Sequence, residues 1–87
     1  MTSWFVYIVR CADDSLYTGI ARDVERRIRE HNWDNKLGAK YVRGRRPVTL
    51  VYKETVTTHS DACKRELAIK RLSKQHKETL IRQARDS

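Results

Sequence analysis

No stretch of the 87 residues approaches the ~20 consecutive apolar positions that a membrane helix needs, so no membrane association is expected. The segment Met1 to Tyr7 has neither a basic n-region nor a cleavage pattern, so no secretory signal is expected and the cytoplasm is the expected location. Cysteine is scarce. Cys11 and Cys63 lie far apart and belong to no CxxC or Cys/His cluster, which argues against a disulfide framework and a structural zinc site. Both are read as small buried apolar residues of a cytosolic chain. There is one proline, Pro47, and there is no internal repeat, low-complexity tract or linker, so a single domain over residues 1–87 is expected. Acidic residues are also few, 11 Asp and Glu against 19 Lys and Arg, for a net charge of +8.

A chain of this size buries only about 60% of its unfolded surface, so the core is expected to be one thin layer, a small sheet with helices packed on it. The positive field attracts polyanions and speeds encounters with them. Nucleic acid is the leading partner, ahead of acidic proteins and anionic membrane surfaces. The plainer alternative is a basic protein whose charge serves no partner.

Ser3 to Arg10, rich in aromatic and β-branched residues, predicts a strand, and Leu16 to Ile20 predicts a second. The acidic turn Asp13-Asp14-Ser15 between them predicts a hairpin. Asp23 is a good N-cap for a helix from Val24 to about Asn32, with Val24, Ile28 and Trp33 as its apolar stripe. A loop from Asp34 to Arg46 follows, closed by Pro47. Val48 to Val56 predicts the third strand, with Val48, Leu50 and Tyr52 on one face. Thr58 to Asp61 has the capping pattern that opens a helix ending near Leu72, and Ser73 can cap a last helix through Leu80 and Ile81. The order strand, strand, helix, strand, helix, helix predicts a small α/β sandwich of the α+β type: a three-stranded, largely antiparallel sheet flanked by helices.

Some residues resist a purely structural account. At about 100° per residue, Glu66 lies between Ala62 and Ile69 on one side and Cys63 and Lys70 on the other, within the apolar arc of its helix. A carboxylate there needs neutralising, by a metal or by a basic side chain. Arg27 and His31 are four residues apart and share a helix face. Arginine can hold a phosphate with a fork of donors, and histidine can donate to one or move a proton. Equally, Arg22, Arg26, Arg27, Arg29 and His31 can form a solvated basic face. Tyr7 and Tyr17, on the two arms of the hairpin, are either core rings or two phenols converging on one spot. Phosphodiester cleavage needs a group that deprotonates water, a cation on the non-bridging oxygens and stabilisation of the leaving oxygen. These residue types can supply all three.

Phe5-Val6-Tyr7, then Tyr17-Thr18-Gly19, then Arg27 and His31 between Asp23 and Asn32, and finally Glu66 between Cys63 and Lys70, resemble the GIY-YIG nuclease superfamily. The loop Gly38 to Pro47 resembles that of its small single-domain bacterial members. The first triplet lacks the glycine of the family pattern, and the second has Thr18 at its centre; both keep the tyrosine. The resemblance implies a three-stranded antiparallel sheet flanked by helices. It implies that Tyr17 activates water, with Tyr7 in support. Arg27 would stabilise charge on the scissile phosphate, His31 would assist by hydrogen bonding or proton transfer, and Glu66 would bind a single Mg2+ or Mn2+. The implied products carry a 5′-phosphate and a 3′-hydroxyl.

The expected function is therefore metal-dependent hydrolysis of DNA, with single-stranded or structured DNA of low sequence specificity favoured because no second domain grips a duplex. A role in DNA repair, recombination or DNA processing follows from class alone. Lys40, Tyr41, Arg43, Arg45, Arg46 and Lys70 are the expected nucleic-acid contacts, with Tyr41 stacking on a base and the cations tracking the backbone. No small-molecule cofactor is expected, and a monomer is the default. The rival reading is a non-catalytic nucleic-acid-binding module on the same scaffold; a basic adaptor for an acidic protein is a third.

Overall fold

The computed structural model describes residues 3–86. Its strands are β1 (Trp4–Arg10), β2 (Leu16–Ala21) and β3 (Thr49–Val56), and its helices are α1 (Val24–Trp33), α2 (Lys40–Arg43), α3 (His59–Lys70) and α4 (Lys74–Asp86). The sheet order is β2-β1-β3, with β1 antiparallel to both neighbours. The predicted α+β architecture is therefore observed.

The hairpin turn closes through the Cys11 N–H donating to the Ser15 carbonyl at 2.8 Å, with Asp14 at a φ of 70°. Aspartate tolerates that left-handed conformation better than most residues. All three predicted caps form. The Asp23 carboxylate accepts from the Arg26 N–H at 3.0 Å, the Thr58 hydroxyl from the Asp61 N–H at 3.0 Å, and the Ser73 hydroxyl from the His76 N–H at 3.1 Å.

The core is not one layer. β1 is the central strand, and Val6, Tyr7, Ile8 and Val9 are all buried, so the sheet has an apolar cluster on each face. One joins Tyr7, Val9, Cys11, Val24, Val42 and Val48 under α1 and α2. The other joins Val6, Ile8, Ala62, Ile69 and Ile81 under α3 and α4. Each fully buried Val or Ile contributes roughly 1.5–3 kcal/mol. Arg10 ties α4 to the sheet with a two-pronged bond to the Glu78 carboxylate, at 2.7 and 2.6 Å.

Four local expectations are corrected. The loop before Pro47 contains α2, whose Val42 is fully buried. A register shift between Ile8 and Val9 breaks the alternation of β3, so Leu50 packs with the α1 face while Val51 and Tyr52 pack with the other. Trp33 is not part of the α1 stripe but 76% exposed. It lies nine positions from Val24, half a turn away round the helix at about 100° per residue, and His31 ends the stripe instead. Cys11 is buried as expected, but Cys63 is exposed on the flank of α3.

Candidate active site

The residues singled out from the sequence meet along β2, an edge strand whose rim is reachable from both faces of the sheet. Tyr7 projects from β1 towards the α1 face and is paired across the ladder with Gly19. Its ring lies over that glycine: a Cβ there would stand 2.5 Å from the Tyr7 hydroxyl and 2.7 Å from Cζ. Glycine is needed because the phenol occupies the space a side chain would fill. Tyr7 and Tyr17 are not direct partners across the hairpin, since Tyr17 pairs with Val9, but they share a face.

His31 joins them. It is fully buried, so it does not belong to a solvated basic face. Its Nε2 lies 2.7 Å from the Tyr7 hydroxyl, and its Nδ1 accepts from the Ala39 N–H at 3.3 Å. A backbone N–H can only donate, so Nδ1 is bare and Nε2 carries the proton. Tyr7 Oη is then the acceptor and its own hydrogen is free to point outward. Burial, and next the positive charge of Arg27, push His31 down to about 4, which keeps it neutral at ordinary pH. Burial, and next the neighbouring Tyr17 phenol, push Tyr7 well above the ordinary phenol value, so it stays protonated.

Tyr17 is half-buried, with its ring edge against His31 at 5.5 Å and its face stacked on Tyr41 at 5.7 Å. The Lys70 ammonium is 5.9 Å from the Tyr17 centroid. Arg27, on α1, is half-buried and held by the Glu30 carboxylate at 2.9 Å and the Leu37 carbonyl at 2.5 Å. Glu66 comes from α3, on the other side of the sheet, and its charge acts on the Tyr7 phenol. Its neutralising partner is Lys70, one turn on at 3.5 Å. Such an i,i+4 pair is worth only about 0.3–0.5 kcal/mol, so the carboxylate is loosely held.

No group of three or more His, Cys, Asp or Glu able to hold a metal occurs among the described residues. One accessible carboxylate fits Mg2+, which dehydrates reluctantly and is commonly held by one or two carboxylates, several waters and substrate phosphate oxygens.

The expected nucleic-acid contacts divide into two kinds. Lys40 is exposed, and Tyr41 is 40% exposed, capped by the Arg45 guanidinium 4.0 Å from its centroid. Arg45 also bonds Asp13 at 3.2 Å, and Arg43 reaches the Asn35 carbonyl at 2.8 Å. Arg46 is half-buried and donates to the carbonyls of His31 at 2.5 Å and Asp34 at 2.9 Å, closing the end of α1. Two contributors escape sequence reasoning. Asn32 clamps α1 to the start of β3 by accepting from the Val48 N–H at 2.7 Å and donating to its carbonyl at 3.1 Å. Ala39 acts through its backbone alone, which no residue type announces.

Residues 3–79 match the GIY-YIG catalytic domain family. A UPF0213 protein of Desulfotalea psychrophila is 59% identical over 80 residues, covering 92% of this chain and 72% of its own. One from Staphylococcus epidermidis is 54% identical over 83 residues, covering 95% of this chain and 99% of its own. The solution NMR structure of a UPF0213 protein from Bacillus halodurans is 42% identical with a TM-score of 0.57, covering 91% of this chain and 82% of its own. That of an E. faecalis protein is 35% identical with a TM-score of 0.67, covering 100% and 91%. No helix of the described residues is long and apolar enough to cross a membrane. With a family match over most of its length and UPF0213 relatives above half identity, the chain belongs to the GIY-YIG catalytic domain family, a superfamily of nucleases.

Proposed function

We propose that the chain is a metal-dependent nuclease that hydrolyses phosphodiester bonds of single-stranded or structured DNA at the β2 rim. The convergence of two phenols, an arginine, a neutral histidine and a carboxylate there, from four different elements, carries this reading. A purely structural cluster has no use for a loosely paired carboxylate beside buried phenols.

The proposed roles follow from each environment. Tyr17, the more exposed phenol, activates the attacking water, with the Lys70 ammonium as counter-charge. Tyr7 keeps its proton and donates to a phosphate oxygen. His31 is a positioning residue: neutral, it fixes the Tyr7 hydroxyl through Nε2–H. Arg27 places its guanidinium against the charge that grows on the non-bridging oxygens. Glu66 would hold Mg2+ or Mn2+, which when bound supplies charge withdrawal from the phosphate and the leaving oxygen. Water adds to phosphorus while the Tyr17 hydroxyl takes up its proton and releases its own to solvent. The P–O3′ bond breaks with the departing oxygen taking a proton from solvent, to leave a 5′-phosphate and a 3′-hydroxyl.

The Tyr17–Tyr41–Arg45 stack favours one rival, a non-catalytic module that binds single-stranded nucleic acid. Cleavage of end-labelled single-stranded, duplex and branched DNA, with Mg2+, Mn2+ or EDTA, separates the two. Metal-dependent cutting by the wild type, lost in Glu66→Ala and Tyr17→Phe with binding retained, is expected. Binding without cutting under every condition selects the module, and cutting that survives both substitutions overturns the roles.

A further inference from the structure

Trp33 has no part in the core or in the chemistry, yet its indole is 76% exposed at the end of α1. It walls an open cleft of about 320 Å³ whose other lining residues are Arg29, Glu30 and Asp34. Arg29 is exposed and has no carboxylate partner among the described residues; Lys36, in the turn just beyond, is likewise exposed and unpaired. The two carboxylates of the cleft are engaged. Glu30 pairs with Arg26 at 3.2 Å and Arg27 at 2.9 Å, and one Asp34 oxygen accepts the N–H groups of Lys36 and Leu37 at 2.8 Å each.

We propose that this cleft is a base-stacking subsite that takes an unpaired nucleobase flanking the cleaved phosphate. The inference rests on the DNA reading of the β2 rim and adds to it how single strands are selected. Three features point to a base in this cleft. A flat exposed indole offers a stacking face to any base. The second Asp34 oxygen, which neither N–H engages, disfavours a phosphate and can accept a base N–H. Free cations at its margin suit the backbone on either side. Position agrees: Glu30 lines the cleft and also holds Arg27 at 2.9 Å, so one carboxylate joins the cleft to the guanidinium at the rim. Trp33, about 9 Å further along α1 than Arg27 and about a third of a turn round it, is within reach of a neighbouring nucleotide of an unstacked strand. A duplex keeps its bases paired and cannot fill the cleft.

The chain has two tryptophans, so Trp4→Phe leaves Trp33 as the sole reporter. That protein is titrated without divalent metal against a short oligothymidylate, an abasic oligomer of equal length and a duplex. Tryptophan emission is read beside the anisotropy of an end-labelled strand. The expected result is quenching by oligothymidylate and little change with the abasic strand or the duplex. Trp33→Ala should weaken oligothymidylate binding about fivefold or more, leave abasic binding unchanged and hold the melting temperature. The wild type titrated beside Trp33→Phe isolates the same signal should Trp4→Phe fold poorly. Binding with unchanged Trp33 emission, or equal quenching by the abasic strand, overturns the subsite and leaves the DNA reading standing. No anisotropy change with any strand removes both.

Discussion

Acid should weaken this fold through one residue. His31 is fully buried, accepts a backbone N–H at Nδ1 and is pushed down to about 4. In the unfolded chain a histidine takes up its proton near pH ~6.5. Between those values the unfolded state binds a proton that the folded state refuses, so stability falls as pH is lowered through the window and levels off below it. At about 1.36 kcal/mol per pH unit, the loss between roughly pH 7.5 and roughly pH 5 is about 2 kcal/mol, a sizeable share of the 5–15 kcal/mol typical of a domain. Carboxylates held low, such as Asp34 and Glu78, lose their contribution only at more acidic pH. Urea unfolding at a series of pH values, for the wild type and for His31→Gln, isolates the term. The wild-type midpoint should drop with acid at constant m-value, and the His31→Gln line should be flatter by about that amount. Parallel lines would refute the reasoning, as would a nitrogen NMR spectrum placing the proton on Nδ1. Protonation should also reach the site, because an Nδ1–H facing the Ala39 N–H pushes apart two donors at the entry to α2, which carries Tyr41.

Gly19→Ala should force the Tyr7 phenol off its place, costing about 1–3 kcal/mol as overpacking does and disturbing the His31 Nε2 resonance; an unchanged resonance would show that the ring has room. Asn32→Ala removes both bonds to Val48 and should cost about 1–3 kcal/mol in urea unfolding, with the loss centred on the α1–β3 junction in hydrogen exchange. Thr18 is 2% exposed with an unpartnered hydroxyl, so Thr18→Val should leave stability unchanged or raise it by about 1 kcal/mol; a clear loss would reveal a partner for that oxygen.

What the sequence announces and what it hides differ in range. The caps at Asp23, Thr58 and Ser73 involve atoms within a few residues of each other, and residue type alone identifies them. Strand composition identifies β1, β2 and β3 for the same reason. Cys63 and Trp33 are misread because their environments depend on which helix face meets the sheet, and the bonds of Arg46 to carbonyls far along the chain have no local signal. The bulge opposite Ile8 and Val9 is likewise a property of two strands, not of one. The candidate site shows the same division. The motif order brought out Tyr7, Tyr17, Arg27, His31 and Glu66, while the Tyr7–His31 bond joins residues 24 apart, and the tautomer depends on the backbone of Ala39.

The placement of the site on β2 follows from the size of the chain. A sheet of three strands has one interior strand, and its residues are consumed by two apolar clusters. A polar group set in the middle of either cluster would need every donor and acceptor satisfied. At the rim of β2 the constraint relaxes, because groups from α1 on one face and α3 on the other can meet at a boundary open to water and to a substrate. Tyr7 bridges the two regimes: its ring is packed in the interior, and its hydroxyl passes over Gly19 towards the edge. An exposed strand edge is ordinarily a liability, since another strand can pair with it. Here Lys70, Glu66 and the Tyr41–Arg45 pair lie beside that rim, surroundings better suited to a phosphate backbone than to a second sheet. The same features on which the proposed phosphodiester chemistry rests thus also guard the rim against strand pairing.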